Sequence, residues 1–237
     1  MIYVGIDDTD ILGSPGTNKL ARLLLGRLAP EYESVLAIRH QLLFDRRIPY
    51  TSKNSSASLL LRSASNGSLP ALASRIRRVM QDWFVAGSDP GLCIAAHVPR
   101  EITAFGRRCQ QDVVSQQEAR GLAARHEIHL EGLGGSEDGV IGALAAAGLA
   151  ASGEDGRVVG LGAWPDDLAG PQDIALLRQR GVAEVRCLDT DRPVTSGIVD
   201  VGKRLRPNYR AGRVVLFVRA APDGAGQSAP WQSVRFT

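Results

Sequence analysis

Apolar residues recur along this chain at the spacing of strands and helices in turn. Near the start, Ile2, Val4 and Ile6 occupy every second position and predict a first strand. A helix with one apolar face is then predicted from about Thr17. That face consists of leucines three and four positions apart, namely Leu20, Leu23, Leu24 and Leu28.

The same two periods continue along the rest of the sequence. Further strands are predicted over residues 34–44, 57–62, 92–98, 128–130, 157–163, 184–188, 193–202 and 213–219. Further helices are predicted over residues 70–84, 102–125 and 172–180 and from residue 139 onward. Because strands and helices alternate without a repeat period, the sequence predicts an α/β (α+β) fold.

Composition narrows the class of protein only slightly. The chain has 237 residues and 44% of them are apolar, as in ordinary globular proteins. Its net charge of +3 is too small to establish a nucleic-acid partner. No apolar run approaches the roughly 18 residues of a membrane span, and no signal peptide precedes the first strand. We therefore expect no membrane partner and a cytoplasmic location.

The cysteines and paired histidines do not predict a metal site. Cys93, Cys109 and Cys187 are odd in number and far apart, so neither a disulfide framework nor a zinc site follows from them. We expect them to be reduced and structural. His126 and His129 fit the start of a strand better than a metal-binding helix face.

Three carboxylates follow the first strand and are the most informative feature of the chain. Asp7, Asp8 and Asp10 gather at one end of the predicted strand, where oxygen ligands can hold a hard cation such as Mg²⁺. Their mutual repulsion is costly unless a cation or hydrogen bonds offset it. The alternative is that they only cap the loop.

The loop that follows suits a phosphate group. Residues 13–16 form a turn that delivers Thr17 to the predicted helix start, and helix N-termini favour phosphate. The alternative is that Thr17 serves only as the N-cap of this helix.

Two further segments have the composition of phosphate-binding regions. Residues 39–62 include five cations, which suit a polyphosphate or an RNA backbone or else form a solvated face: Arg39, Arg46, Arg47, Lys53 and Arg62. Residues 132–148 pass from a glycine-rich loop into an alanine-rich helix and suit a nucleotide-contacting turn. Alternatively, Gly142 and Gly148 only permit close packing of that helix.

Four segments match motifs of one known family in the same order. Two of them are Val4-Gly-Ile-Asp-Asp-Thr-Asp10 and Ile48-Pro-Tyr-Thr-Ser-Lys-Asn54. The other two are Gly139-Val-Ile-Gly-Ala-Leu-Ala-Ala146 and Arg192-Pro-Val-Thr-Ser-Gly-Ile198. Through them the chain resembles the archaeal tRNA(Ile2) 2-agmatinylcytidine synthetase family, TiaS.

The resemblance implies a kinase-like α/β core with a ferredoxin-like subdomain. On this basis we expect residues 1–56 and 126–165 to form the nucleotide-binding core. Residues 57–125 and 166–237 are then expected to form the ferredoxin-like part.

The resemblance also implies the cofactors ATP and Mg²⁺. In the family, the acidic signature binds ATP and magnesium, ATP is split to AMP and pyrophosphate, and phosphate passes to a cytidine that agmatine then displaces. Asp7, Asp8 and Asp10 would hold the metal and act in catalysis together with Thr17. The implied nucleotide-binding residues are Thr9, Gly16, Asn18, Lys53, Asn54, Asp138, Gly139, Ile141 and Gly142.

The sequence also departs from the family. Ser14-Pro-Gly-Thr-Asn18 replaces Gly-Met-Cys-Thr-Thr, and a glycine is missing between Lys53 and Asn54. The oligonucleotide-binding fold and the zinc ribbon of the family have no counterpart in these 237 residues. We therefore expect a Mg²⁺-dependent, ATP-binding phosphoryl-transfer enzyme, kinase-like or synthetase-like, acting on a small-molecule or RNA acceptor. The alternatives are a tRNA cytidine-modifying enzyme with a separate RNA-binding partner and a non-catalytic nucleotide-binding regulatory module. The sequence predicts no oligomeric state.

Overall fold

The computed structural model describes residues 1–29, 32–51, 53–63, 68–162, 166–221 and 229–235. Within these ranges the helices are α1 (Thr17–Leu28), α2 (Leu69–Gln81), α3 (Arg100–Arg108), α4 (Gln116–Arg125), α5 (Gly139–Ser152) and α6 (Ile174–Gln179). The first six strands are β1 (Ile2–Asp7), β2 (Tyr32–Gln41), β3 (Ser55–Ser63), β4 (Gly91–Ala95), β5 (His129–Gly132) and β6 (Arg157–Leu161). The next six are β7 (Pro171–Asp173), β8 (Glu184–Cys187), β9 (Ile198–Asp200), β10 (Asn208–Arg210), β11 (Arg213–Ala220) and β12 (Trp231–Ser233). The predicted α/β class is confirmed.

The first four strands and two helices form a βαββαβ unit. Their order in the sheet is β4-β1-β3-β2, and every neighbouring pair is antiparallel. This is the arrangement of a ferredoxin-like unit. It places the carboxyl end of β1 between β3 and β4, in the middle of the sheet.

The sheet continues past this unit without a break. β2 pairs with β6, β6 with β10, and β10 with β11, all antiparallel. Beyond them β11 pairs with β12, which leads to β9 and β7, and β8 lies parallel to β11. One sheet thus contains strands from both predicted parts of the chain, and the division into two domains stays a prediction.

Helices cover both faces of the sheet around β4. Leu92 and Ile94 pack in one core cluster with α1 and α2 residues, whereas Cys93 and Ala95 pack in another with residues of α3, α4 and α5. Successive strand residues point to opposite faces, so β4 is buried on both sides. The three layers hold the ends of β1 and β4 rigidly.

α5 lies against the sheet at unusually close range. Nearly all of its residues are buried, as expected for a helix that is apolar around its whole circumference. A Cβ on Gly5 of β1 would lie 1.9 Å from the Ala143 carbonyl oxygen, and one on Gly148 would lie 2.2 Å from the Ile102 carbonyl oxygen. Only glycine fits at these contacts, so the packing alternative is correct for Gly148.

The secondary structure corrects several predictions. The single helix over residues 102–125 is wrong, because the chain leaves α3 at Arg108 and Ser115 caps a new helix by accepting a hydrogen bond from the Glu118 amide. The helix over residues 172–180 is shorter, because Asp173 caps it and the residues before form β7. β10 and β12 were not predicted, and each has only three residues.

Two further predictions concern the cysteines and the membrane. All three cysteines are free and buried, as expected for structural thiols. Among the described residues, no helix combines the length and the apolar character that crossing a membrane requires.

Candidate functional site

The acidic signature lies at a sharp turn out of β1. Asp7 is the last residue of the strand, and Asp8 adopts a left-handed backbone with φ of +50°. This conformation is uncommon for a residue with a side chain, although Asp tolerates it better than most. The turn lets Asp7 and Asp8 face the same cavity.

Burial and mutual repulsion perturb both carboxyls. Burial, reinforced by the charge of Asp8, raises the pKa of Asp7 from 3.8 to about 8. Burial also raises the pKa of Asp8 to about 6, with further contributions from Asp89, Asp10 and Asp138. Shifts of this kind cluster at functional sites, and a bound cation would offset the repulsion that causes part of them.

Asp10 plays a different part, because its carboxylate caps α1. Asp10 Oδ1 accepts hydrogen bonds from the Thr17 amide at 3.1 Å and from Thr17 Oγ1 at 3.0 Å. The prediction that Thr17 is the N-cap is therefore wrong: Gly16 occupies that position and Thr17 is the first helical residue. Thr9 is buried and donates to Thr17 Oγ1 at 3.1 Å.

The absence of a side chain at Gly142 makes room for Asp7 beside the first turn of α5. A Cβ on Gly142 would lie 1.7 Å from Asp7 Oδ2, so no other residue fits while that carboxylate keeps its position. Gly139 is equally confined, since its Cβ would lie 2.1 Å from the Asp89 carbonyl oxygen and 3.2 Å from Asp8 Cβ. The missing side chain of Gly142 therefore allows close packing of α5 and at the same time makes room for the Asp7 carboxylate of the candidate site.

The loop between β2 and β3 forms the opposite wall. Lys53 is exposed at this wall. The Asn54 side chain donates to the Leu43 carbonyl at 2.8 Å and so closes the loop on itself. Of the other early cations, Arg47 reaches the cavity and pairs with Asp45, whereas Arg39 is buried.

These segments enclose one cavity of about 260 Å³. Ten of the thirteen predicted site residues line it, namely Asp7, Asp8, Asp10, Thr17, Lys53, Asn54, Asp138, Gly139, Ile141 and Gly142. Thr9, Gly16 and Asn18 do not line it, and the Asn18 side-chain oxygen is buried without a hydrogen-bond partner among the described residues. The structure thus brings together residues that are more than 130 positions apart in the sequence.

Sequence reasoning missed the third wall of the cavity. This wall is the loop between α3 and α4 with the first residue of α4, which includes Asp112, Ser115 and Gln116. Gln116 donates to Asp138 Oδ1 at 3.2 Å and joins this wall to the start of α5. The Ser115-x-x-Glu118 pattern, a common helix start, was the signal that could have revealed the break.

The residues present fit a magnesium ion only together with other ligands. Within the part of the chain that the structure describes, no group of three or more His, Cys, Asp and Glu side chains is arranged to hold a metal ion. Mg²⁺ is, however, usually held by one or two carboxylates completed by substrate phosphates and water. Asp7 and Asp8, whose pKa values are raised by burial and repulsion, are carboxylates of that kind.

Comparisons with known proteins support the resemblance seen in the motifs. No protein-family model matches the chain, and no curated protein aligns with it. Among solved structures, a tRNA fluorescent labeling enzyme matches with 26% identity and a TM-score of 0.55, covering 62% of this chain and 35% of that one. A complex of TiaS with tRNA(Ile2) and ATP matches with 25% identity and a TM-score of 0.54, covering 62% and 36%.

Apo TiaS, a tRNA(Ile2) agmatidine synthetase, matches to a similar extent, with 25% identity and a TM-score of 0.52. The matched region is only about a third of the length of each of these proteins, since it covers 35% or 36% of their chains. Over 62% of its own length, this chain resembles TiaS.

Proposed function

We propose that this protein is a Mg²⁺-dependent enzyme that binds ATP in the cavity at the end of β1 and transfers a phosphoryl group to a small-molecule or RNA acceptor. The observation that carries the proposal is the convergence of three distant segments on one cavity. The acidic signature, the loop containing Lys53 and the start of α5 all line it. A solved structure of the similar protein TiaS is a complex with ATP.

The residues of the cavity suit phosphoryl transfer, which depends on positioned charges more than on covalent chemistry. Asp7 and Asp8 would hold the magnesium ion, which would neutralise charge on the polyphosphate. Asp10 completes this acidic set while it fixes the first turn of α1. Lys53 and Arg47 lie at the opposite wall, where cations can contact phosphate oxygens.

Thr17 is proposed to act beside the phosphates. Its hydroxyl donates to Asp10 Oδ1 and accepts a hydrogen bond from Thr9, so the side chain is held in one orientation at the cavity wall. A carboxylate that accepts the hydrogen of a hydroxyl makes the hydroxyl oxygen a better nucleophile, and Asp10 is placed to take that proton from Thr17.

The test is phosphorus NMR of the purified protein incubated with Mg²⁺ and ATP, with and without small RNA. We expect ATP consumption by the wild type and a loss of at least about 100-fold in Asp8→Asn, because the charges that position the polyphosphate act directly on the transition state. AMP with pyrophosphate would indicate synthetase-like chemistry, whereas ADP with a phosphorylated acceptor, or with free phosphate where water takes its place, would indicate a kinase.

A matched control excludes a general effect of replacing carboxylates. Asp82 is exposed at the end of α2, remote in sequence from every cavity-lining segment, and Asp82→Asn should retain full activity. Wild-type turnover in a folded Asp7→Asn, Asp8→Asn double variant would refute the metal role. ATP binding without consumption, with or without RNA, would favour a nucleotide-binding module instead.

An exposed aromatic pair favours an acceptor that carries a base. Phe44 and Tyr50 are 52% and 44% exposed, and their rings meet edge to face with centroids 5.4 Å apart. Tyr50 lines the cavity, so a base stacked on it would lie beside the phosphates. If the acceptor is tRNA, Tyr50→Ala should weaken binding, and the affinity should fall steeply with salt. Activity that is independent of RNA and of Tyr50 would indicate a small acceptor.

A further inference from the structure

A second cavity of about 320 Å³ lies between α1, β6 and residues 205–207. It shares no lining residue with the cavity described above. Its wall is partly apolar, with Leu25, Leu168 and Leu205 among its lining residues. Its charged lining residues are the three arginines Arg22, Arg180 and Arg206 and the two aspartates Asp166 and Asp167.

The arginines around this cavity outnumber the carboxylates that pair with them. Asp166 accepts two hydrogen bonds from Arg206, at 2.7 and 2.8 Å, and one from Arg204 at 3.2 Å. Asp167 pairs with Arg180 at 3.1 Å. Asp166 is therefore already shared by two cations before Arg22 is considered.

Arg22 is attracted by Asp166 but makes no direct contact with it. It is half-buried, and among the described residues its guanidinium has no hydrogen-bond or ion-pair partner. Burial lowers the pKa of Arg22, and repulsion by Arg206 and Arg204 lowers it further against the attraction of Asp166. A charged group held in this way is costly unless an anion completes the site.

The shape of the cavity allows a ligand to reach these groups. α1 packs closely on β6 at this point, where a Cβ on Gly160 would lie 2.9 Å from Leu25 Cδ1 and 3.5 Å from Arg22 Cγ. The Cγ of Arg22 therefore lies over a position that has no side chain. Planar guanidinium groups match phosphate oxygens in a bidentate manner, and cavities of about 300 Å³ and above hold small ligands.

We propose that this cavity binds a small phosphate-bearing molecule, with its phosphate held by Arg22 and Arg206 and its apolar portion against Leu25 and Leu168. The site is independent of the proposed phosphoryl transfer, because no residue is common to the two cavities.

The test is calorimetric titration of the full chain with inorganic phosphate and with phenyl phosphate, which is not a nucleotide, in about 0.15 M salt to screen weak surface binding. We expect saturable binding of both, with phenyl phosphate tighter than phosphate because it adds an apolar ring. Arg22→Gln should weaken both by about tenfold or more, since it removes a charge-assisted hydrogen-bond donor. Arg27→Gln, at an exposed position on the same helix, should leave them unchanged.

Two more variants separate this site from the first cavity and from a folding defect. Lys53→Gln alters only the first cavity and should not change the affinity measured here. Asp166→Asn removes the carboxylate that competes for the arginines and should strengthen phosphate binding, whereas a purely structural role predicts the opposite.

Several results would overturn the proposal. These are the absence of saturable binding of both probes, equal affinity in folded Arg22→Gln, and weaker binding in Asp166→Asn. Phosphate binding that is no weaker than phenyl phosphate binding would refute the proposed contact of the ligand with Leu25 and Leu168.

Discussion

Replacing Asp7 by asparagine should stabilise the cation-free protein even though it removes a proposed metal ligand. Asparagine has nearly the same size and shape as aspartate, so it fits against Gly142 in the same way. What changes is the uptake of a proton on folding. Because burial and the neighbouring Asp8 raise its pKa to about 8, Asp7 is largely protonated in the folded protein at pH 7 but ionised in the unfolded chain, whereas asparagine needs no proton.

The sign and size of the effect follow from the pKa. Because the pKa of Asp7 is raised from 3.8 to about 8 on folding, its contribution to stability is complete below pH 3.8 and is lost as the pH rises toward 8. Between 3.8 and pH 7 lie about three pH units, each worth roughly 1.4 kcal/mol. Near pH 7 we therefore expect Asp7→Asn to gain about 4 kcal/mol over the wild type.

The assay is urea denaturation in the presence of a chelator at pH 5, 6, 7 and 8. The difference in unfolding free energy between Asp7→Asn and the wild type should widen with each step, while Asp82→Asn should show no such trend. Added Mg²⁺ should then stabilise the wild type and not Asp7→Asn, because a ligand stabilises only the protein that binds it. A difference that stays constant between pH 5 and 8, or an Asp7→Asn variant that is less stable at pH 8, would refute the reasoning.

Three other predictions concern the surroundings of the site. Gly142→Ala would place a Cβ only 1.7 Å from Asp7 Oδ2, so the Asp7 carboxylate must shift. ATP turnover should then fall by about 100-fold, and unchanged kinetics would show that the position of this carboxylate is unimportant. Gln110→Leu removes hydrogen bonds of 3.0 Å to Asp155 and to a β2 carbonyl and should cost about 1–3 kcal/mol in urea denaturation, and an unaltered midpoint would contradict this. Burial alone would raise the pKa of Asp155, but hydrogen bonds from His40 and Gln110 lower it on balance, so its stabilising effect is lost as the pH falls below its ordinary value of 3.8. Melting curves between about pH 2 and 4 should show a smaller acid-dependent loss in Asp155→Asn, and parallel curves would argue against it.

The pattern of apolar residues was sufficient to predict an element where the chain follows the period of a strand or of a helix. The alternation that ends at Ile6 and the leucine face of α1 located the acidic turn between them, and the alanine-rich run located α5. These elements bring eight of the predicted residues to one cavity, because their ends meet near the middle of the sheet, and the loop between β2 and β3 adds Lys53 and Asn54. Their roles in binding and catalysis stay predictions.

Features that depend on distant partners could not be derived in this way. The break between α3 and α4 contains neither glycine nor proline, so only the helix-start pattern Ser115-x-x-Glu118 marks it in the sequence. β10 and β12 are too short to show a period and exist because β11 offers them an edge. The capping of α1 by Asp10 spans seven residues and replaces the local cap expected from Thr17.

The burial of α5 determines how molecules can enter and leave the first cavity. This helix is enclosed by the sheet and by α3 and α4, and its glycines touch backbone on both sides. It cannot move outward without unpacking the centre of the protein, so its amides should be among the slowest to exchange with deuterium. Substrates and products must therefore pass between the two loops that face α5 across the cavity, at residues 42–51 and 53–54 and at residues 109–115. The rate of product release should respond to substitutions in these loops rather than in the helix.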